Sequence, residues 1–334
     1  MKKIINYFKN DIKNIYKHYI IMLFFLVLLL IRFDYYVFSP GGLIELTDRI
    51  EVENAYDSKG SFNLTYVTAR DGTIPNILLS YIIPTWDLVD MDELRVENED
   101  KNQIEERDRI YLKQTSFDAI IAAFKEANIE YSVEKIDVSV AYVFENSNTN
   151  LKAGDTIKSI NGVEITSFDK LVEEVSKYKE NDRINIKAIR KDKEIDCYAV
   201  LVNSEGRAVI GISLAELKTV KSDYQVNYIF EDNESGASRG LMCALEIYNK
   251  VTKDDLTKGK VIAGTGTIDD NGNVGAISGV KYKIRGAAKK KASVFIVPTE
   301  KYKEAKEEIE KNNYDIILIE ADNLHNVIEA LKNM

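Results

Sequence analysis

The sequence predicts an α/β protein preceded by an apolar N-terminal helix, and three observations predict it. From residue 206 to the C-terminus strand-like and helix-like segments alternate. Residues 131–203 carry short period-two apolar segments separated by turn signals, and Tyr19 to Ile31 is an uninterrupted apolar run. The 334 residues, 45% apolar and 30% charged, are ample for two compact domains plus extra segments.

The first element is the apolar run YIIMLFFLVLLLI. Thirteen residues alone are short for a membrane span, but counting from Tyr16 to Phe38 gives sufficient length, with Lys17 and Arg32 snorkelling and Tyr16, Tyr19, Tyr35 and Tyr36 at the interfaces. A cleavable signal peptide has an apolar region this short, yet the following RFDYYVFSPGG holds no small-residue cleavage site. A transmembrane signal anchor over residues 19–38 is therefore expected. Residues 1–18 hold five lysines (Lys2, Lys3, Lys9, Lys13, Lys17) against Asp11, a net of +4, which leaves −13 of the total −9 for the rest. The positive-inside rule then keeps residues 1–18 cytoplasmic and exports everything after the span. The cell membrane is the expected location, with a single pass.

Residues 39–130 come next, a β-rich and then helical segment that makes no domain alone and is assigned as extracytoplasmic, either separate or joined to the domain formed by the C-terminal third. LIELTDRIEV and SFNLTYVTAR alternate as strands do, and DSKGS and RDGTIP are turn material. MDELRVENEDKNQIEERDR reads as a solvated helix or loop. SFDAIIAAFKEAN, Ser116 to Asn128, has an apolar face at helical spacing with Ser116 as its N-cap. Trp86, the only tryptophan, reads as a packing anchor.

Residues 131–203 look like a unit of their own. Strand-like VSVAYVF precedes LKAGDTIKSINGVEI, then a helix from Phe168 to Tyr178 places Leu171, Val172 and Val175 on one face, and INIKAIR and IDCYAVLV follow as strands. The glycine of LKAGD permits a turn that Asp155 caps, Ile157 and Ile160 point inward, and Asn161-Gly162 reverses the chain. The pattern L-x-x-G-D-x-I-x-x-I-N-G resembles a PDZ domain over about seventy residues. That resemblance implies peptide capture by strand addition. No G-L-G-F-like loop precedes the strand at Asp137 to Phe144, so no ligand residues are assigned, and internal segments and C-termini remain equal candidates.

Residues 206–334 alternate VIGISLA, YQVNYIFED, a helix from about Ser238 to Val251, GKVIAGTGTIDDNGNVGAI, a helix from about Tyr282 to Ala292, SVFIVP, a helix from Glu300 to Asn312, YDIILIE and a last helix to Lys332. GASRG, Gly236 to Gly240, sits where a strand gives way to a helix. That position offers backbone N–H groups and a positive dipole end suited to a developing oxyanion, so Ser238 stands where a nucleophile would.

GASRG, the later TGTI and the run GNVGAISGVKYK resemble the proteolytic domain of the Lon family, peptidase family S16, whose members are serine peptidases with a Ser-Lys dyad. The resemblance puts Ser238 at the nucleophile, Lys283 at the dyad lysine through Gly272, Val274, Ile277 and Gly279, and Thr265 in the supporting role of positioning the lysine amine. With the anchor and the PDZ-like unit ahead of it, the whole chain is similar to the membrane-anchored, PDZ-containing Lon-like proteases of Gram-positive bacteria. Relatives of that kind imply assembly into rings. Four positions depart from the usual motifs: Ser235 for a glycine, Ala237 for a proline, Arg239 for the small residue after the nucleophile, and Ser278 for a glycine. Arg239 either crowds the cleft or helps to depress the Lys283 pKa.

Composition is compatible with that chemistry and excludes others. His18 and His325 are the only imidazoles and lack the company of a triad or a zinc motif, so a serine hydroxyl needs another base; a lysine serves when held neutral. By default a lysine in the run Lys281, Lys283, Lys289, Lys290 and Lys291 belongs to a solvated helix face, and Lys281, two residues from Lys283, is the control. Cys197 and Cys243 lack C-x-x-C spacing, and Asp269, Asp270 and Asn271-Gly272 resemble a turn more than a metal loop, so no metal and no cofactor is expected. The acidic balance argues against nucleic acid as a partner. No G-x-x-x-x-G-K-[ST] occurs, so an ATPase module like that of full-length Lon is not expected. The expectation is an ATP-independent serine endopeptidase acting on exposed or unstructured extracytoplasmic polypeptides, the alternative being a catalytically inactive peptide-binding scaffold.

Overall fold

The computed structural model describes residues 2–97, 99–230 and 236–334, with side chains from residue 15 onward. Along the chain come α1 (Lys2–Leu30), β1 (Arg32–Glu45), β2 (Ile50–Val52), β3 (Ser61–Thr73), α2 (Ile74–Ile82), β4 (Asp87–Asp90) and α3 (Lys101–Glu126). Then follow β5 (Tyr131–Val143), β6 (Asn148–Thr149), β7 (Thr156–Ile160), β8 (Val163–Glu164), α4 (Phe168–Val175), β9 (Arg183–Arg190), β10 (Lys193–Val200), β11 (Val202–Ser204), β12 (Arg207–Val209) and β13 (Ile212–Ser222). The rest comprises β14 (Val226–Tyr228), α5 (Gly240–Val251), β15 (Val261–Gly264), β16 (Thr267–Ile268), β17 (Val274–Gly275), α6 (Val280–Lys289), β18 (Val294–Pro298), α7 (Thr299–Asn312), β19 (Ile317–Ala321) and α8 (Leu324–Lys332). These elements fall into two compact units, Met1–Pro40 with Val67–Leu94 and Gly41–Tyr66 with Arg95–Met334.

In the first unit α1 ends at Leu30 and the chain becomes extended at Arg32, so the expected helical span over residues 19–38 is corrected at its C-terminal side. Tyr35 to Phe38 instead pair antiparallel with Asp90 to Asp87 of β4, which satisfies their backbone groups in a ladder. Among the described residues no helix is long and apolar enough to cross a membrane. Trp86 carries the Arg70 guanidinium 4.3 Å from its ring centre.

Among its described residues the second unit holds the separate two-stranded pairs β2-β14, β11-β12 and β16-β17 and two large sheets. In one, β19, β18, β15 and the Ser61–Leu64 part of β3 lie side by side and parallel, so the segment after residue 39 contributes a strand beside those of the C-terminal third. Helix α5 is buried through Leu241, Met242, Cys243, Ala244, Leu245 and Ile247, and shares one core with Phe62, Ile262, Ile296 and the α3 residues Ala119, Ala122 and Ala123. Such a helix, apolar on nearly every side, needs cover on every side. Helix α3 supplies part of it. It is a single helix of 26 residues whose N-cap is Asp100, with a capping box to Gln103. Ser116 is therefore no cap: it is buried in mid-helix and its Oγ donates to the Leu112 carbonyl. Of the charged stretch before it, Lys101 to Arg109 forms the N-terminal part of the same helix, whereas Met91–Glu93 is a separate 3-10 turn and Glu99 is buried.

The other sheet runs β13-β5-β7-β9-β10-β6, over a core of Val138, Val140, Ile157, Ile160, Ile184, Ile186 and Leu201. Asn161 and Gly162 both have positive φ, 47° and 85°, the signature of the tight hairpin turn between β7 and β8. Asp155 is fully buried, accepts from the Lys152 N–H at 2.8 Å, and takes both Nε and Nη2 of Arg190 at 2.6 Å. Strand β13 pairs with β5 from Ile212 opposite Val143 to Ser222 opposite Tyr131. The expected boundaries at 203 and 206 are thereby corrected, because VIGISLA belongs to this sheet and not to the C-terminal domain. Its apolar alternation is satisfied by the β5 partner, which sequence alone leaves open.

Candidate active site

Ser238 lies in the single 3-10 turn Ala237–Arg239 that leads into α5. Gly236 before it has φ 131°, a conformation that favours glycine. Gly240 after it admits the close approach of α3 and β16, since a Cβ there would collide with Thr115 Oγ1. Two bonds stitch the turn to the link between β15 and β16: the Gly266 N–H donates to the Ser238 carbonyl at 2.9 Å, and the Leu241 N–H donates to the Gly266 carbonyl at 3.0 Å. Ser235 lies outside the described residues.

The structure brings the three sequence-assigned site residues together. Lys283, in the first turns of α6 and 5% exposed, donates from Nζ to Ser238 Oγ at 3.1 Å and to Thr265 Oγ1 at 2.8 Å. Thr265, equally buried, donates its own hydroxyl proton to the Ser238 carbonyl at 3.2 Å. The threonine hydroxyl thus accepts from the amine and donates to the nucleophile's backbone, which fixes the amine in one place. Burial pushes the Lys283 pKa down to about 8, since a charged ammonium loses its hydration there. Lys281, the control, is half-buried and sits with its Nζ 4.9 Å from the Tyr282 ring centre.

Arg239 neither fills the cleft nor tunes the lysine. Its guanidinium lies 3.9 Å from the Phe230 ring centre, and its Nη2 donates to Ser116 Oγ at 3.0 Å. The fall in the Lys283 pKa comes from burial, with no contribution from Arg239, which corrects the expected electrostatic effect. Beside the nucleophile turn a cleft of about 460 Å³ is lined by Tyr111, Thr115, Ala237, Thr267, Asn273 and Val274. His325 stands on α8, 63% exposed, 3.0 Å from Glu126. Cys197 and Cys243 are buried free thiols, and burial holds the Cys243 thiol up at about 12. Asp269 accepts from the backbone of Asn271 and Asn273 at 2.9 and 2.8 Å, an ordinary turn.

A second concavity, about 740 Å³, opens between α4 and β13 and is lined by Phe144, Phe168, Val172, Gly211, Ile212 and Leu214. β13 ends the sheet, so among the described residues one of its edges is without a strand neighbour. Val172, expected to share a face with Leu171 and Val175, is 47% exposed and lines this groove. Sequence reasoning missed these residues because it sought a glycine-led loop ahead of residues 137–144. The glycine-led turn stands at the other end of the sheet, Ile210-Gly211-Ile212, with Gly211 at φ 80° and its carbonyl accepting from the Phe144 N–H at 3.0 Å.

Comparison with known proteins agrees with both regions. Residues 119–199 match the PDZ domain family, and residues 233–333 match the Lon protease (S16) C-terminal proteolytic domain. The chain carries a PDZ domain and a Lon-type serine peptidase domain. Among solved structures it is similar to the PDZ domain of the SdrC-like protein from Listeria monocytogenes, at 26% identity over 23% of this chain and 85% of that one, TM-score 0.22. The PDZ domain of the SdrC-like protein from Listeria innocua gives 27% identity over 23% and 92%, TM-score 0.23. A solution structure from Geobacillus thermodenitrificans gives 27% over 23% and 94%, TM-score 0.22. No curated protein matches.

Proposed function

We propose that the chain is an ATP-independent serine endopeptidase in which Ser238 is the nucleophile and Lys283 the general base, with the PDZ domain capturing polypeptide. The observation that carries this is the 3.1 Å approach of the Lys283 amine to Ser238 Oγ, at a site where burial holds the amine near pKa 8. A neutral amine takes the Ser238 hydroxyl proton as Oγ attacks a peptide carbonyl. The oxyanion of the tetrahedral intermediate then develops near the positive end of α5. The ammonium returns the proton to the leaving amine, and in the second half of the cycle the same amine activates water against the acyl-enzyme. For an ATP-independent peptidase, unfolded or exposed segments are the substrates that fit.

Incubating the purified protein, wild type and Ser238→Ala, with an unfolded protein and mapping the cuts by mass spectrometry tests the proposal. Cuts unique to the wild type are expected. Identical patterns would leave a peptide-binding scaffold as the better account.

Membrane anchorage and export of the catalytic domain belong to the same proposal. From Ile15 to Ile31 the apolar side chains are exposed, Leu28 alone being half-buried, and an apolar surface of that kind asks for a nonaqueous partner. A reporter fused after Met334 should behave as exported; a cytoplasmic signal would sink the topology.

A further inference from the structure

Two contacts join the free-edge strand of the PDZ sheet to the cleft beside Ser238. Tyr111, which lines that cleft, shares a 2.6 Å hydrogen bond with Ser213, and Ser213 lies between the groove-lining residues Ile212 and Leu214 of β13. Farther along β13, Lys218 donates from Nζ to Asp118 Oδ1 at 3.1 Å and to Asp270 Oδ2 at 2.7 Å. Asp118 is another wall residue of the cleft, and Asp270 sits in the turn between β16 and β17, whose Thr267, Ile268, Val274 and Gly275 form the facing wall. A second lysine holds that turn, Lys125 donating to the Asp270 carbonyl at 2.6 Å. Lys218 and Asp118 side chains are 10% and 4% exposed, so the ion pair is shielded from water. Removing the ammonium would leave two carboxylates facing each other, one on α3 and one on the β16–β17 turn.

We propose that Ser213 and Lys218 of the PDZ domain are positioning residues for catalysis, so that the cleft wall Thr267–Gly275 is set by strand β13. This rests on the peptidase proposal for its kinetic consequence but not for its structural one. A polypeptide added to the free edge of β13 would bear on the same strand that holds the wall, and by reciprocity a chain seated in the cleft would alter the groove. The groove is in this sense a regulatory site as well as a capture site.

The test uses the full chain as wild type, Lys218→Met, Lys218→Arg and Ser213→Ala. Amide hydrogen exchange over residues 267–275 should quicken at least about threefold in Lys218→Met, return toward wild type in Lys218→Arg, and leave the core helix at 241–251 unchanged. On a fluorogenic tetrapeptide amide too short to reach the groove, kcat should fall about tenfold in Lys218→Met and severalfold in Ser213→Ala, with KM within about twofold and recovery in Lys218→Arg. Unchanged exchange in Lys218→Met overturns the proposal, as does unchanged kcat in an otherwise active series. Faster exchange in Lys218→Met with a tetrapeptide that no form cleaves, wild type included, would retain the strand linkage and remove the peptidase activity instead.

Discussion

Lys283 Nζ stands 3.1 Å from Ser238 Oγ and 2.8 Å from Thr265 Oγ1, a pair of contacts made across 45 and 18 residues of sequence by an amine that is almost fully buried. Proton transfer at this distance needs the amine neutral, which fixes the sign of the pH dependence. Protonated below about 8, the base is idle; above it the base is competent. The acylation rate should therefore rise with pH and level off above a midpoint near 8, read with a short fluorogenic peptide. Ser238→Ala and Lys283→Ala should each lower kcat by roughly 10³-fold or more. Lys283→Arg should be equally inert while folded, because a guanidinium keeps its proton at any usable pH. Activity in that variant would exclude the amine as base.

The same pKa makes a statement about stability. In the unfolded chain Lys283 titrates near its ordinary 10.5, in the folded chain near 8, so between those values the unfolded state binds more protons and stability rises with pH. Below pH 8 the burial cost is fully present, on the order of 3 kcal/mol. Lys283→Met should raise the melting temperature at pH 7 and flatten the stability profile between 8 and 10.5. Parallel profiles for the two proteins would mean that the buried amine is not displaced from its ordinary pKa.

Thr265→Val removes the hydroxyl that both accepts from the amine and donates to the Ser238 carbonyl, at nearly constant volume. A loss in kcat of about tenfold with little change in KM is expected, and Thr265→Ser should recover most of it. Equal activity for all three would reduce Thr265 to an ordinary core residue.

Val172→Glu puts a charge into the apolar groove between α4 and β13 without touching the Ser238 cleft. Cleavage of a long unfolded protein should weaken through KM by about tenfold, while kcat on a short peptide stays within twofold. A matching loss on both substrates would show that the groove does not capture substrate.

A fragment ending at residue 203 lacks β13 and leaves the β5 edge without its eleven-residue partner. Urea unfolding of residues 131–203 should be broad or absent, whereas extending the fragment to 222 should sharpen it. A cooperative transition in the shorter piece would place the domain boundary at 203 after all.

What could be read in the sequence followed the range of the interactions that specify it. Asn161-Gly162 and Asp155 act within a few residues, and their turn chemistry was legible. In the sequence, Ser238, Thr265 and Lys283 are singled out only by their motifs, since nothing local distinguishes Lys283 from Lys281 apart from which one the fold buries. Helix α3 was divided at Ser116 because its solvent-facing first half lacks an apolar stripe; the true cap is Asp100, and the burial of Ser116 beneath Arg239 depends on contacts over a hundred residues away. VIGISLA reads as part of the C-terminal third for a similar reason, though its strand pairs with β5. Strand partners are set by pairing, and a strand's own composition does not name its partner.

Helix α3 lies against α5 beneath the nucleophile and also against β5 and β13 of the PDZ sheet, through Thr115 on one side and Tyr111 and Asp118 on the other. The two folds therefore hold a wall in common, and taking either one away leaves part of α3 without its packing. Exchanging this PDZ domain for a homologous one would cut the shared helix or strip its packing, so such a chimera inherits a mismatch in the peptidase itself. A change on the face of α3 that meets β13 is therefore felt on the face that meets α5 as well.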